Sequence, residues 1–149
     1  MIQRFYIDTS VIGGVFDTEF EEHSTILFEK IKLGQIKCVV SEITESELSK
    51  ARKEIRDFFD SIPKSYIEHV EITQDAVQLA DAYIAEKVVG KTSRNDCLHI
   101  AIATVSRVDI LVSWNFKHIV NIYRIRGYNS INMRLGYPAL EIRSPKEIV

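Results

Sequence analysis

Three acidic residues of this 149-residue chain follow or open apolar segments, at positions where they could share one site. Asp8 comes directly after IQRFYI, Glu47 follows IKCVV within SEITESEL, and Asp96 opens the apolar stretch NDCLHIAIATV. A fourth junction of this kind, LVSWNFKHI, presents Asn115. Mg²⁺ prefers oxygen ligands and keeps several waters, so a cluster of carboxylates would form a site for a hard divalent cation.

Short apolar segments alternate along the chain with segments of helical spacing. Strands are predicted at Ile2–Ile7, Ile36–Val40, Tyr66–Ile72, Asp109–Ser113 and Ala139–Arg143. Strands that alternate with helices are typical of an α/β domain with a mostly parallel sheet and helices on both faces. Because the loops after parallel strands lie along one edge of the sheet, the polar junctions are expected to meet there.

Helical spacing of apolar residues predicts four longer helices. They are expected over Phe20–Leu33, over one segment that carries Leu48, Ala51, Ile55 and Phe58, over 73–90, and from about Asp96 to Ser106. Gly34 and Gly90 are expected to end the first and third helices, and Ser41 or Thr44 to cap the second. A short helix is predicted at Phe116–Val120 and a final turn at Pro145–Glu147. With no repeat or linker in the sequence, residues 1–149 are predicted to form a single domain.

The composition is that of an ordinary globular protein, with 46% hydrophobic and 27% charged residues and a net charge of −2. This charge gives no overall nucleic-acid signature, although a local basic patch would suffice for binding. Cys38 and Cys97 lie in apolar surroundings and are expected to be buried free thiols. No signal peptide opens the chain and no apolar run approaches the roughly 20 residues that cross a bilayer. A cytoplasmic protein without membrane contact is expected.

Each acidic residue also has a structural explanation. An Asp at a helix N-terminus stabilises the helix by about 0.3–1 kcal/mol, which alone would explain Asp96. Asp8 is different, because a buried carboxylate after an apolar strand requires a cation or several hydrogen-bond donors. Residues two apart do not share a helix face, so only one of Glu45 and Glu47 is expected to point into the site. The sequence does not decide between Glu45 and Glu47.

The four segments together resemble the PIN-domain nucleases, in particular the VapC-like toxin ribonucleases. YIDTSVIGG, SEITESEL, NDCLHIAIA and ILVSWNFKHI occur in this order over nearly the whole chain. In that family an Asp ends the first strand, a Glu lies on the helix after the second strand, and an Asp starts an alanine-containing helix; Asp8, Glu47 and Asp96 match these positions. A fourth acid commonly follows the Ser or Thr that ends the next strand. Here Ser113 is present, but the acidic position is Asn115.

The resemblance implies a three-layer α/β/α PIN-like fold and a metal-dependent endoribonuclease that uses Mg²⁺ or Mn²⁺. Asp8 and Asp96 would be direct metal ligands, and Glu47 would hold a ligand water or act as a base. Asn115 keeps an oxygen but lacks a charge, which leaves open a working site with one tight metal or a degenerate site that only binds. The resemblance also implies RNA as the substrate, a cognate antitoxin as partner, and a homodimer.

Several further residues are candidates for substrate contacts: Ser10, Ser113, His118, Arg124 and Arg126. The two arginines belong to a basic, tyrosine-containing C-terminal segment, which fits a phosphate backbone but equally a solvated face or a partner surface. His99, one helical turn after Asp96, is expected to be a satisfied core or interface histidine rather than a phosphate contact. For Trp114, stacking on a base and packing under a loop are equally open.

Two other functions compete with the nuclease. Asn115 makes credible a catalytically degenerate PIN-like module that binds RNA or has a regulatory role. An α/β phosphatase would use Asp8 as its nucleophile, but that chemistry usually needs a second acid two residues later, where this chain has Ser10.

Overall fold

A five-stranded parallel sheet forms the centre of the protein. The structure, a computed structural model, describes residues 1–88 and 94–149. The strands are β1 (Gln3–Ile7), β2 (Ile36–Ser41), β3 (Ile67–Val70), β4 (Ile110–Val112) and β5 (Glu141–Arg143). They lie in the order β3-β2-β1-β4-β5, and every pairing is parallel. β3 and β5 are therefore the edge strands of the sheet.

Helices connect the strands. They are α1 (Thr9–Gly14), α2 (Glu21–Lys32), α3 (Glu42–Ser49), α4 (Lys53–Asp60), α5 (Gln74–Ala85), α6 (Arg94–Val105), α7 (Ile122–Arg134) and α8 (Pro145–Ile148), with a 3-10 turn at Lys64–Tyr66. No helix within the described ranges is long and apolar enough to cross a membrane.

Alternating side chains of the strands separate two hydrophobic cores. Phe5 and Ile7 of β1 face a core built with α1, α2 and α4, whereas Tyr6 faces a core built with α5, α6 and α7. This alternation follows from the two-residue period of a strand. The predicted three-layer α/β/α fold is confirmed. Both cysteines are buried and free, one in each core.

The order of the strands places a topological switch point between β1 and β4. The chain proceeds from β1 through β2 to β3 on one side, and then returns to β4 on the other side of β1. Ligands of open α/β sheets bind beyond the carboxyl ends of the strands at such a point. Because Ile7 pairs with Val112 in the register, Asp8 and Ser113 follow their strands side by side.

Several predicted helix ends are confirmed by their local geometry. Gly34 follows α2 with φ +74°, a conformation that favours glycine. The Thr73 side chain accepts the Ala76 N–H at 3.1 Å at the start of α5. At the start of α3, the Ser41 N–H donates to Thr44 Oγ1 at 3.2 Å. The sequence therefore identified these ends from residues that satisfy the exposed backbone groups.

Other predictions of helices were wrong. The segment with Leu48 and Ile55 forms two helices rather than one, because Arg52 adopts an extended conformation with ψ 149°. Both helices pack on the same core, so the apolar spacing continues across the break. The helix predicted over 73–90 ends at Ala85; its predicted stop, Gly90, lies outside the described residues.

The predicted helix at Phe116–Val120 is a single hydrogen-bonded turn. The Asn115 side-chain Oδ1 accepts the N–H groups of Lys117 and His118, at 3.2 and 3.0 Å, and starts this turn. The backbone is extended again at Asn121, the N-cap residue of α7, so the turn cannot lengthen into a helix.

Candidate functional site

Asp8 lies at the switch point and is held by hydroxyl groups on one oxygen. It is only 5% exposed. Its Oδ2 accepts hydrogen bonds from Ser10 Oγ at 2.6 Å and Ser113 Oγ at 2.8 Å. Its Oδ1 lies 3.7 Å from His99 Nε2. The two hydroxyl donors fix the orientation of the carboxylate and leave Oδ1 directed at the other acidic residues of the site.

Glu47, rather than Glu45, points into the site. Its Oε1 accepts from Thr9 Oγ1 at 2.8 Å and from His99 Nε2 at 2.6 Å. Glu45 instead lies at the surface, where it pairs with His69 at 2.9 Å. Burial would raise the pKa of Glu47, but the hydrogen bond and charge of His99, together with Thr9, hold this pKa below its ordinary value.

His99 is a buried partner of Glu47 that the sequence did not place in the site. It is fully buried, and its Nδ1 lies 2.6 Å from the Tyr6 hydroxyl, which in turn lies 2.7 Å from Ser41 Oγ. Burial alone would lower the pKa of His99, but Tyr6, Glu47 and Asp8 raise it to about 10. The expectation of a satisfied core histidine is confirmed. Its spacing of one helical turn from Asp96 was the available signal that it would lie near the acids.

Asp96 carries a negative charge that its surroundings do not balance. It lies in the first turn of α6, and its Oδ2 accepts from Asn115 Nδ2 at 3.2 Å. Burial, followed by the charges of Asp8 and Glu47, raises its pKa to about 6 despite the opposing effects of His99 and Asn115. An acid that is disfavoured in its ionised form by neighbouring carboxylates is stabilised by a bound cation.

Asn115 joins the acids to the loop after β4. Its Nδ2 donates to Asp96, its Oδ1 accepts from the following turn, and its N–H donates to Ser113 Oγ at 2.9 Å. Because Ser113 also donates to Asp8, this loop holds both aspartates through short hydrogen-bond paths.

The structure brings candidate ligand atoms for a metal ion close together. Asp8, Glu47 and His99 each offer one atom within 4.8 Å of the other two. Asp96 lies outside this cluster but interacts with the charges of Asp8 and Glu47. His99 Nε2 is hydrogen-bonded to Glu47, so the positive charge of His99 offsets the negative charge of that carboxylate. The negative charges of Asp8 and Asp96 remain available to a metal ion. Oxygen donors of this kind suit Mg²⁺ or Mn²⁺.

The candidate substrate contacts are found in different environments. Ser10 and Ser113 direct their hydroxyls at Asp8. His118 is half-buried beside Asn115, and its Nδ1 has no hydrogen-bond partner among the described residues. Arg124 donates to the Val88 carbonyl, whereas Arg126 is exposed. The structure thus joins the two serines to Asp8 by hydrogen bonds and joins the backbone of His118 to Asn115. Among the described residues it gives no such link between the two arginines and the acids.

Trp114 packs under a loop. Its Nε1 donates to Ser24 Oγ at 2.8 Å, and its ring stacks on Phe20 with centroids 4.3 Å apart. Gly14 allows this arrangement, because a Cβ there would lie 2.6 Å from Ser24 Oγ and 2.8 Å from Trp114 Nε1. The structure therefore shows the packing of Trp114, and it does not test whether a base also contacts this side chain.

The raised pKa of Asp96 predicts a pH-dependent cost in the metal-free protein. The folded protein binds the Asp96 proton more tightly than the unfolded chain does. As pH rises from about 4 to about 6 this proton is lost, and the free energy of unfolding of the metal-free protein falls. The free energy of unfolding of Asp96→Asn minus that of wild type should therefore be larger at pH 7 than at pH 4. Urea unfolding of both proteins in EDTA measures this. A difference that does not change with pH would show that the charge on Asp96 is already balanced.

Comparisons with known proteins agree with this geometry. The PIN domain family model matches residues 5–115. No curated protein matches the chain significantly. Among solved structures, VapBC2 from Rickettsia felis, bound to a DNA fragment from its promoter, aligns with TM-score 0.60 and 16% identity over 95% of this chain and 98% of that chain. FitAcB from Neisseria gonorrhoeae aligns with TM-score 0.62 and 10% identity over 97% and 99%. A toxin–antitoxin complex from Klebsiella pneumoniae aligns with TM-score 0.56 and 20% identity over 75% and 87%. At these identities the solved structures establish the fold.

Proposed function

The chain belongs to the PIN domain family, and from this premise we propose that it is a metal-dependent endoribonuclease. The observation that carries the proposal is the convergence of Asp8, Glu47, Asp96 and Asn115 beyond the carboxyl ends of β1 and β4, where the charge on Asp96 is left unbalanced. Such a site suits a negatively charged substrate only when a cation neutralises the carboxylates.

The geometry supports a distinct role for each acid. Asp8 and Asp96 are the proposed metal ligands, because neither carboxylate is paired with a nearby Lys or Arg among the described residues. A bound Mg²⁺ or Mn²⁺ would screen the phosphate charge and favour deprotonation of an attacking water. Glu47 is held by Thr9 and His99 with a lowered pKa, so it stays ionised and is suited to orient that water. The lowered pKa makes Glu47 a weaker base, which favours this orienting role over acceptance of the proton.

The remaining candidate residues divide into positioning residues and substrate contacts. Ser10 and Ser113 hold Asp8 in place, as their hydrogen bonds indicate. His118, Arg124 and Arg126 are proposed to contact the RNA. The pKa of His118 is lowered by burial and by Arg124 and Lys117, so at neutral pH it would do so as a neutral hydrogen-bonding group.

We also propose that the protein is the toxin of a toxin–antitoxin pair, acting as a homodimer and held inactive by a cognate antitoxin. The support is the shared fold with a toxin–antitoxin complex from Klebsiella pneumoniae. Residues 1–149 would act as one domain, since the two cores share a single sheet.

RNA cleavage by an Asp96→Asn variant tests the proposed function. We expect wild type to cleave single-stranded RNA in Mg²⁺, and the variant to be slower by about 100-fold or more. Replacing a residue that only holds a metal ligand in place already lowers metal affinity or activity by about 10- to 100-fold. Asp57→Asn removes an exposed carboxylate of α4 and serves as the matched control. Equal rates for wild type and Asp96→Asn would refute the role of the acid. RNA binding without any cleavage by wild type would favour the degenerate binding module.

An Asn115→Asp variant should bind Mn²⁺ about tenfold more tightly and cleave RNA faster, because it restores a fourth negative charge to the site. Asn115 Oδ1 already accepts two backbone N–H groups, which a carboxylate would retain. Calorimetric titration with Mn²⁺ and the cleavage rate measure the two effects. Asn121→Asp, at the N-cap of α7, adds the same charge as a control. No change in affinity or rate would show that the missing charge is unimportant.

A further inference from the structure

A cleft of about 260 Å³ opens beside the acidic site. Five residues form its sides: Gly13, Gly14, Asp17, Phe20 and Trp114. Two more, Ser10 and Asn115, line both the cleft and the acidic site. Ser10 Oγ lies 2.6 Å from Asp8 Oδ2, and Asn115 Nδ2 lies 3.2 Å from Asp96 Oδ2. A group bound in the cleft therefore touches residues that are one hydrogen bond away from both aspartates.

One wall of the cleft is aromatic and held in place. Phe20 and Trp114 stack with an interplanar angle of 19°, and the Trp114 indole is fixed by its hydrogen bond to Ser24. The backbone N–H of Trp114 also donates to Ser10 Oγ at 3.0 Å, so a hydrogen bond connects the wall to the acidic site. A fixed aromatic wall next to a phosphodiester site suits a flat heterocycle, because base–aromatic contacts contribute to the binding of single-stranded nucleic acids.

The exposed side chain of Asp17 also lines the cleft. Its Oδ1 accepts the Glu19 N–H at 2.8 Å, which fixes the side chain. Within the ranges that the structure describes, no Lys, Arg or His forms an ion pair with it. A carboxylate only accepts hydrogen bonds. Adenine, cytosine and guanine carry exocyclic amino groups that donate to it, whereas uracil offers one N–H flanked by two carbonyl oxygens that a carboxylate repels.

We propose that this cleft binds one nucleobase of a single-stranded RNA beside the acidic residues, and that Asp17 selects bases with an amino group. The inference rests on the proposed function only in taking RNA as the substrate. Asp17 is a specificity-determining residue in this account, and the Phe20–Trp114 pair is the wall against which the base packs.

Trp114 is the sole tryptophan of the chain, so its fluorescence reports on the cleft without any cleavage. The protein would be titrated with four RNA tetranucleotides, oligo(A), oligo(C), oligo(G) and oligo(U), in Ca²⁺, a divalent cation that binds carboxylates and keeps the acidic site neutralised. The RNA would be checked for cleavage after each titration. We expect the three amino-bearing oligonucleotides to quench Trp114 fluorescence with about fivefold higher affinity than oligo(U). Asp17→Asn keeps the acceptor for the Glu19 N–H but loses the charge, and should remove this preference. Glu22→Gln, which removes an exposed charge of α2 outside the cleft, should retain it.

The outcomes separate this inference from the proposed function. Quenching with an amino preference but no RNA cleavage in Mg²⁺ would uphold the cleft and refute the nuclease. RNA cleavage without quenching, or quenching that is equal for all four oligonucleotides, would overturn the cleft and leave the nuclease standing. Quenching by an arginine-containing peptide but by none of the oligonucleotides would assign the cleft to a protein partner and overturn the proposal.

Discussion

RNA cleavage is expected to fall by about 100-fold or more when Asp8 is replaced by asparagine, while the fold is retained. Asp8 is almost fully buried at the junction of β1 and β4. An asparagine has the same shape and keeps an oxygen that can accept from Ser10 and Ser113. What it removes is the charge, which is what attracts a cation to this position.

The Asp8→Asn variant has a second expected effect that identifies its cause. The charge of Asp8 contributes to the raised pKa of Asp96, so the variant should lower that pKa from about 6. Carboxyl ¹³C NMR of the metal-free protein measures this change, and Asp57→Asn should leave both the pKa and the cleavage rate unchanged. Full cleavage activity in Asp8→Asn would contradict the assignment of this residue as a metal ligand.

Replacing His99 with alanine is expected to lower the free energy of unfolding by about 3 kcal/mol or more, because it breaks a buried ion pair from one side. The imidazole is fully buried and bridges Glu47 and Tyr6. Its removal leaves a cavity, an unpaired Tyr6 hydroxyl and a carboxylate without its counter-charge. Urea unfolding measures the loss.

His69→Ala is the matched control, because His69 pairs with Glu45 at the surface and should contribute less than about 0.5 kcal/mol. His99→Gln, which retains a side-chain donor, should be less destabilised than His99→Ala. It should still cleave more slowly than wild type, because Gln lacks the positive charge that helps to hold Glu47 ionised. Equal stabilities of the His99→Ala and His69→Ala variants would show that the buried contacts of His99 do not stabilise the protein.

The sheet was predictable because its strands are short, apolar and followed by polar junctions. Ile36–Val40 and Asp109–Ser113 were found to within one residue of β2 and β4. Burial on both faces explains this, since strands of a parallel sheet read as continuous apolar runs. α7 was missed for the opposite reason. Its apolar residues lie on more than one face, and Ile122, Tyr123 and Met133 are exposed, so no single apolar stripe marks the helix.

The site was only partly predictable. The approach of Asp8 to Ser113 follows from the pairing of β1 with β4, which the order of the strands sets and which a sequence does not state. The choice between Glu45 and Glu47 depends on which side of α3 faces α1, where Thr9 meets Glu47. His99 joins the site because Tyr6 and Ser41 come from two neighbouring strands and fix its ring. These are tertiary contacts, whereas the acids themselves were marked by local sequence.

The central claim, that these acids form a metal-dependent nuclease centre, is tested most directly by titrating metal-free protein with Mn²⁺ and measuring RNA cleavage. The account predicts no cleavage in EDTA and a rate that rises to saturation with Mn²⁺ for wild type, but not for Asp8→Asn. A rate that is the same in EDTA and in Mn²⁺ would contradict it.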